Sequence, residues 1–389
     1  MSLLDEVVRH SQDANATDIF LKVGRPPFIH CPAGPICLSL PPINQNEIEE
    51  ILELIKESDT RGWQSYDEKP RCLLVCRYKN EVAMRVEVFG ADQALSLCIR
   101  LHPIAPMSLD KIGLPDGFKS QIETGGPGMM IISAPHRSGL TTTLTSIAQH
   151  YANQDLSSRI GFMSEEQGIG VKNNTPGLIK ISPVTSDNEF SHMLKHAESF
   201  TMLIIDGVLS PIRFRRLLDF SANTQCLVIY GINVVTAIKL GSLSSVPACI
   251  DYCLDQIIKS LILSKNPAYN SDINQLTHAS ASKLAATLNG ILCRDMLISS
   301  SHEAVPLYEY AAVTPAVRNL ISENKIARIV EAIIVAPKKN GFTRNQHLYE
   351  LVESGRIPSD EVKAHPMYGE SFTREYQGKL KGEKDGRRI

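Results

Sequence analysis

The chain has 389 residues, of which 43% are hydrophobic and 21% are charged. This composition predicts an ordinary soluble protein of two or three domains. A formal net charge of −2 argues against a general polyanion binder, so we predict no direct contact with nucleic acid. The first ten residues contain acidic side chains and no long apolar run, and no segment approaches the roughly 20 apolar residues that cross a bilayer. We therefore predict neither a signal peptide nor a transmembrane helix.

The first part of the chain is predicted to be a small α/β domain over residues 1–105. Apolar residues recur at helical spacing in 3–11 and 46–56, and β-type patterns occupy 18–23, 71–78, 82–89 and 94–101. The stretch 102–116 contains three prolines, which predicts a linker over 106–116.

The segment 117–345 alternates short apolar strands with helices, which predicts a second α/β domain with a doubly wound, mostly parallel sheet. Ligands of such sheets bind at the carboxyl ends of the strands. The polar stretch 262–280 is predicted to be an exposed loop, and 346–389 to form C-terminal helices and a basic tail. The predicted core strands are Met129–Ile132, Ile160–Met163, Met202–Ile205 and Cys226–Tyr230.

The basic tail follows Phe372 and is interpreted as a solvated, disordered end, with a membrane-surface or partner contact as the alternative. The nine cysteines include no C-x-x-C pair, which favours the reducing cytosol. Cys249 and Cys253 lie one helical turn apart, but no second pair of metal ligands accompanies them, so we predict packed thiols rather than a zinc site.

The stretch from Met129 to Leu144 has the pattern of a phosphate-binding loop between a strand and a helix. Against G-x-x-x-x-G-K-[ST] it contains Ala134 at the first glycine, Gly139 at the second, Leu140 at the lysine and Thr141 at the metal-binding hydroxyl. The frame is present and the lysine is missing. The predicted nucleotide-binding residues are Ala134, Pro135, His136, Arg137, Ser138, Gly139, Leu140, Thr141 and Thr142.

Separated segments of the chain resemble one family in the same order. Residues 16–21 and 24–27 resemble its opening A-S-D-L-H-L and G-x-P-P, with Phe20 in place of the histidine. Thr201 to Asn233 aligns without a gap with its Walker B and His-box region, and TPAVRNLISENKIARI, from Thr314 to Ile329, is similar to its T-P-A-I-R-N-L-I-R-E-x-K. This is the family of PilT-like secretion ATPases, which includes type IV pilus retraction motors and ATPases of type IVB secretion and conjugation.

The resemblance implies a PAS-like N-terminal domain, a RecA-like domain, and a hexameric ring with nucleotide between subunits. ATP and Mg²⁺ would be the cofactors if binding is retained. The segment from Leu288 to Leu297 resembles a helix of the family that precedes its last strands.

At four chemical positions of the family, the chain contains residues that cannot replace the original function. Leu140 stands at the P-loop lysine, Gly207 at the Walker B glutamate, Leu209 at the following arginine and Ile232 at the His-box histidine. The lysine neutralises the β and γ phosphates, so its loss weakens nucleotide binding and phosphoryl transfer together.

Other candidate residues remain. Glu165 and Glu166 stand where the family carries its acidic Asp box, and Asp206 ends an apolar strand, so these three are the predicted catalytic residues. Thr141 and Asp206 are the predicted magnesium ligands, although an aspartate that caps the next turn explains Asp206 equally well. Arg137 is a possible substitute cation within the loop, with a solvated loop arginine as the alternative.

Two functions follow from the resemblance. The first is a hydrolysis-deficient ring subunit of a type IV pilus, type IV secretion or conjugative machine. The second is a slow but active ATPase that uses Arg137, Thr141, Asp206 and the two glutamates. Expected partners are identical subunits or an active paralogue in a mixed ring, together with inner-membrane platform proteins. The expected location is the cytoplasm, peripheral to the inner membrane through those partners.

Overall fold

The computed structural model divides the chain into two compact units, one formed mainly by Met1–Pro106 and one that begins at Met107. The described residues are 2–31, 34–58, 71–79, 82–91, 94–103, 105–124, 126–136, 138–154, 157–164, 175–182, 184–233, 245–263, 273–299 and 303–375.

The first unit is a six-stranded antiparallel sheet with two helices. The strand order is β3-β2-β1-β6-β5-β4. The elements are α1 (Leu3–Asp13), β1 (Asp18–Lys22), β2 (Phe28–Cys31), β3 (Gly34–Cys37), α2 (Gln45–Ser58), β4 (Arg71–Tyr78), β5 (Val82–Ala91) and β6 (Ala94–Pro103). This architecture fits the PAS-like domain that the resemblance implied.

The core of the first unit follows from two amphipathic helices. Ser2 and Asp5 form a capping box at the start of α1, which satisfies backbone N–H groups that the first turn would leave unpaired. Leu4 of α1 and Ile48 of α2 are fully buried in one apolar cluster with the strands. The two predicted helices and the four predicted strands are confirmed. The pattern analysis missed β2 and β3, because each has four residues and β3 contains Pro35 and exposed side chains.

The second unit contains an eight-stranded sheet in the order β14-β13-β12-β7-β11-β10-β8-β9. The six strands from β12 to β9 are parallel to their neighbours, whereas β13 and β14 are antiparallel. The strands are β7 (Gly128–Ala134), β8 (Ile160–Ser164), β9 (Leu178–Ile181), β10 (Met202–Asp206), β11 (Leu227–Asn233), β12 (Leu288–Ile298), β13 (Ala304–Ala312) and β14 (Gly341–Phe342). The predicted α/β class with a mostly parallel sheet is confirmed, and all four predicted core strands are present.

Helices connect these strands and bury the sheet. They are α3 (Leu109–Ile112), α4 (Asp116–Glu123), α5 (Leu140–Gln154), α6 (Asp187–Ala197), α7 (Pro211–Asn223), α8 (Val246–Leu263), α9 (Ile273–Thr287), α10 (Pro315–Ser322), α11 (Ile329–Ile334), α12 (Arg344–Glu353) and α13 (Ser359–Ala364). Tyr230 and Ile232 of β11 lie in one buried cluster with residues of α7, α8 and α9. Gly231 between them faces the side chains of α5, as strand alternation requires.

Two sequence predictions about this unit are wrong. The segment from Leu288 to Leu297 is strand β12 and not a helix. It lies between β7 and β13 with most side chains buried, and such a strand shows an apolar run without the period-two alternation that identifies strands. The stretch 262–280 is not wholly a loop, because α9 occupies it from Ile273 onward; residues 264–272 lie outside the described ranges.

The predicted linker also contains a short helix, α3, which Ser108 caps with its side chain and which ends at Gly113 in the left-handed conformation. Within the described ranges, none of the helices combines the length and the apolar character needed to cross a membrane. The predicted basic tail begins among described residues at Arg374, but residues from 376 onward lie outside them.

Candidate functional site

The loop between β7 and α5 lies at the carboxyl end of a central strand, where the sequence predicted it. Ala134 ends β7 fully buried and is paired with Asn233 of β11. Pro135 is half-buried and His136 is exposed, and the Ser138 N–H donates to the carbonyl of Pro135 at 3.1 Å. We call residues 134–139 the β7–α5 loop.

Gly139 ends the loop with a φ of 82°, in the left-handed region that glycine adopts without strain. The following helix begins at Leu140. The Thr143 hydroxyl donates to the Gly139 carbonyl at 2.9 Å and so binds the first turn of α5 to the loop. Thr141 and Thr142 are half-buried on the same turn. The strand–loop–helix frame of a phosphate-binding loop is therefore present.

The Leu140 side chain packs into the protein and does not extend over the loop. Only 6% of its surface is exposed. A Cβ placed on Gly231 would lie 3.3 Å from Leu140 Cδ1 and 2.4 Å from Leu144 Cδ1, so both leucines contact β11 where it lacks a side chain. The position that carries a lysine in a functional P-loop is thus part of the apolar packing between α5 and the sheet.

Asp206 is the last residue of β10. It directly precedes Gly207, which stands at the position of the Walker B glutamate. It is 6% exposed, it is paired with Ser164 of β8 and Gly231 of β11, and the Ser164 hydroxyl donates to its Oδ2 at 3.1 Å. A buried carboxylate at the carboxyl end of a central strand is placed where a metal-bound ligand would meet the sheet. That Asp206 is a metal ligand, rather than a cap of the next turn, stays a prediction.

The positions that follow Asp206 do not present catalytic groups. Gly207 has a φ of 144°, a conformation that residues with a Cβ rarely adopt. Leu209 is buried, and its N–H donates to the Tyr230 hydroxyl at 3.2 Å. Ile232 is also buried in the same apolar cluster as Leu209. Leu209 and Ile232 are thus built into the core of the domain.

The loop histidine contacts the end of β11. His136 Nδ1 lies 3.3 Å from the side-chain nitrogen of Asn233, the last residue of that strand. The structure brings these two together, and Asn233 was not among the predicted site residues. Arg137, Glu165 and Glu166, which were, lie outside the described residues.

Sequence analysis also missed two residues of β12 that contact the loop. The Arg294 guanidinium donates from Nε to the Ser138 carbonyl at 2.7 Å and from Nη1 to the Thr143 hydroxyl at 2.5 Å. Asp295 accepts from the Ser138 hydroxyl at 3.1 Å and from the Tyr368 hydroxyl. The available signal was a charged Arg-Asp pair within an otherwise apolar run.

Among the side chains that the structure describes, no three His, Cys, Asp or Glu residues are grouped for metal binding. Cys249 and Cys253 are buried thiols of α8, and a hydrogen bond with Cys253 together with burial raises the pKa of Cys249 well above its usual value. This pair has no described contact with the β7–α5 loop.

The described part of the site has the strand–loop–helix frame of a phosphate-binding loop, with Leu140 packed against β11 at its helix start. Gly139, Thr141 and Asp206 are suited to a magnesium-bound phosphate. The lysine that would neutralise the phosphates is replaced by a packed leucine, and a charge-assisted hydrogen bond of that kind is worth about 1.5–3 kcal/mol.

Comparison with known proteins finds relatives of similar length and solved structures of the same fold. No family model matches the chain. The chain is 21% identical to the type IV pilus retraction ATPase PilT of Pseudomonas aeruginosa over 378 residues. The matched region covers 95% of this chain and 99% of the relative.

Two solved structures have the same fold. The pilus retraction motor PilT with bound ADP superposes with a TM-score of 0.71 at 20% identity, over 94% of this chain and 97% of that one. The Legionella pneumophila ATPase DotB superposes with a TM-score of 0.69 at 16% identity, over 91% of this chain and 92% of that one. Fold and loop thus define a PAS-like domain followed by a RecA-like domain of the P-loop type. The chain is similar in sequence to PilT, and in fold to PilT and DotB, along nearly its whole length, as the resemblance in its sequence predicted.

Proposed function

We propose that this chain is a hydrolysis-deficient, PilT-like ring subunit that acts by assembly in a type IV pilus, type IV secretion or conjugative transfer machine. The observation that carries the proposal is the packing of Leu140. Its side chain fills the space beside Gly231 and leaves the phosphate loop without its cation. A lysine at this position would have to leave the apolar contact with β11 to reach a phosphate.

The remaining replaced positions support the same conclusion. A glutamate at 207 would require a backbone conformation that is strained for any residue with a Cβ. Leu209 and Ile232 contribute apolar area to the domain core, so their replacement has been accommodated by packing. Catalytic side chains are expected to be lost, and the packing of the domain preserved, when the fold is needed for contacts with other subunits and ATP hydrolysis is not.

ATP and magnesium are the proposed ligands if nucleotide binding is retained. Thr141 and Asp206 are the side chains that would hold the metal, and the loop backbone would contact the phosphates. Without the lysine and the glutamate, bound ATP would not be cleaved. We place the chain in the cytoplasm, at an inner-membrane platform of the machine, in a homomeric ring or in a ring mixed with an active paralogue.

A slow, active ATPase is the second candidate. It is favoured by Asp206, which is buried at the end of β10 and bound by Ser164 as a metal ligand would be. Under this alternative Arg137 supplies the missing charge, and Arg137→Ala abolishes a measurable turnover.

Calorimetric titration with Mg-ATP, together with sedimentation of the purified chain with and without nucleotide, tests the proposal. We expect ring-sized particles in both conditions and weak or undetectable binding. Leu140→Met, which conserves the apolar packing, is the matched control and should sediment in the same way. A chain that forms rings only after saturable micromolar binding of Mg-ATP would contradict the proposal.

A further inference from the structure

Arg294 is a buried cation whose described hydrogen-bond acceptors are all neutral. It is 5% exposed, and besides the Ser138 carbonyl and the Thr143 hydroxyl it donates to the Tyr308 hydroxyl at 3.3 Å. Tyr308 in turn donates to the carbonyl of Ile112 at 2.8 Å. Burial lowers the pKa of Arg294 from its usual range. Burying a cation without a bound carboxylate is costly. The guanidinium of Arg294 therefore depends on these hydrogen bonds to offset that cost.

The guanidinium also packs against the glycine of the loop. A Cβ on Gly139 would lie 2.7 Å from Arg294 Nη2 and 3.0 Å from its Cζ. No side chain fits between the loop and the guanidinium at this point. Gly139 therefore serves two purposes here: it adopts the left-handed conformation, and it admits the arginine from inside the protein.

Asp295 holds the same loop residue through a different atom. It accepts from the Ser138 hydroxyl, and its other oxygen accepts from Tyr368. Ser138 is thus bound through its carbonyl by Arg294 and through its hydroxyl by the next residue of the strand. β12 is paired with β7, so both contacts arise from a strand that is fixed beside the loop.

We infer that Arg294, assisted by Asp295, is a positioning residue that orders the β7–α5 loop from inside the domain, in place of a bound nucleotide. In a phosphate-binding loop the ligand satisfies backbone groups and fixes the loop. Here the guanidinium contacts Ser138, Gly139 and Thr143, which span the end of the loop and the first turn of α5. The inference rests on the proposed function, because a loop that is ordered without nucleotide suits a subunit that assembles without turnover.

Hydrogen–deuterium exchange of the full-length chain tests the inference on peptides that cover residues 134–145. The wild-type loop should be protected without nucleotide, and millimolar Mg-ATP should leave its protection unchanged. Arg294→Met, which removes the charge and the donors at similar volume, should raise exchange in these peptides about tenfold and leave the peptides of β10 and α7 unchanged.

The matched control is Arg318→Met. Arg318 also donates only to neutral acceptors in the described structure, the carbonyls of Ala285, Leu288 and Val313, and it does not contact the loop. Its replacement should leave loop exchange at the wild-type rate. A uniform rise in exchange across the domain in Arg294→Met, or an unchanged rate in the loop, would overturn the inference.

Thr143→Val keeps the test decisive if Arg294→Met does not fold. It removes one acceptor of Arg294 at nearly constant volume, together with the hydrogen bond from the Thr143 hydroxyl to the Gly139 carbonyl. Loop exchange should rise severalfold; an unchanged rate would count against the inference. The two proposals fail separately. ATP turnover by the wild-type chain would refute the proposed function and leave the exchange result standing, whereas an unprotected loop without nucleotide would refute only the inference about Arg294.

Discussion

Replacing Leu140 with lysine restores the lysine of the P-loop pattern and should nevertheless destabilise the protein. The side chain is 94% buried and lies against Gly231 and Leu144. Burial of a leucine side chain contributes about 1.5–3 kcal/mol to stability. A lysine keeps part of this contact with its aliphatic stem, but its ammonium has to reach solvent or lose its charge.

We expect Leu140→Lys to lower the free energy of unfolding by about 2 kcal/mol. For a domain of a few hundred residues this corresponds to a fall in Tm of roughly 4–8 °C. Leu140→Met is the control, because a volume-conserving apolar replacement costs less than about 1.5 kcal/mol. Thermal unfolding followed by circular dichroism measures both variants.

The same variant should not release phosphate from ATP, because no carboxylate stands at Gly207 to orient water. Two results would refute the reasoning. If Leu140→Lys were as stable as Leu140→Met, Leu140 would not be packed as described. If it hydrolysed ATP, the loss of the lysine alone would explain the inactive site, and the other replaced positions would not matter.

Three further predictions concern stability. Burial lowers the pKa of His347 to about 4, and its Nδ1 accepts a hydrogen bond from the Tyr308 N–H. Between pH 6.5 and 4 this histidine therefore binds more protons in the unfolded chain than in the folded one. The contribution of His347 to stability should therefore be constant above pH 6.5 and fall by roughly 3 kcal/mol as the pH drops to 4. His347→Asn, which keeps an acceptor, should remove this part of the pH dependence in denaturant titrations. Gly207→Ala should cost roughly 1–3 kcal/mol because of its φ of 144°, and an unchanged Tm would contradict the strain argument. Glu309 is buried and accepts the N–H groups of Val246 and Arg344 at the starts of α8 and α12, so Glu309→Gln should cost about 1–3 kcal/mol; a loss below 0.5 kcal/mol, roughly the limit of such measurements, would show that the carboxylate is dispensable.

The strands and helices that surround the loop were predictable because their signals are local. β7 is a continuous apolar run that ends in small residues, and α5 begins directly after Gly139. The absence of a lysine at position 140 is visible in the sequence. That the leucine packs beside Gly231 is not, because this contact depends on how α5 lies on β11.

β12 was misassigned, and with it the residues that hold the loop. A strand buried on both faces has no alternation, so its sequence resembles that of a buried helix. Arg294 and Asp295 reach Ser138 only because the parallel pairing of β12 with β7 places them there. Contacts of this kind, across more than 150 residues of chain, arise from topology and cannot be read from spacing.

The most direct test of the central claim is phosphate release from Mg-ATP by the purified chain, followed over many hours beside its Asp206→Asn variant. We predict that both proteins release phosphate at the spontaneous rate, because Leu140 stands where a lysine would stabilise the transferring phosphoryl group. Turnover by the wild-type chain that is lost in Asp206→Asn would contradict the account and identify the protein as an active ATPase.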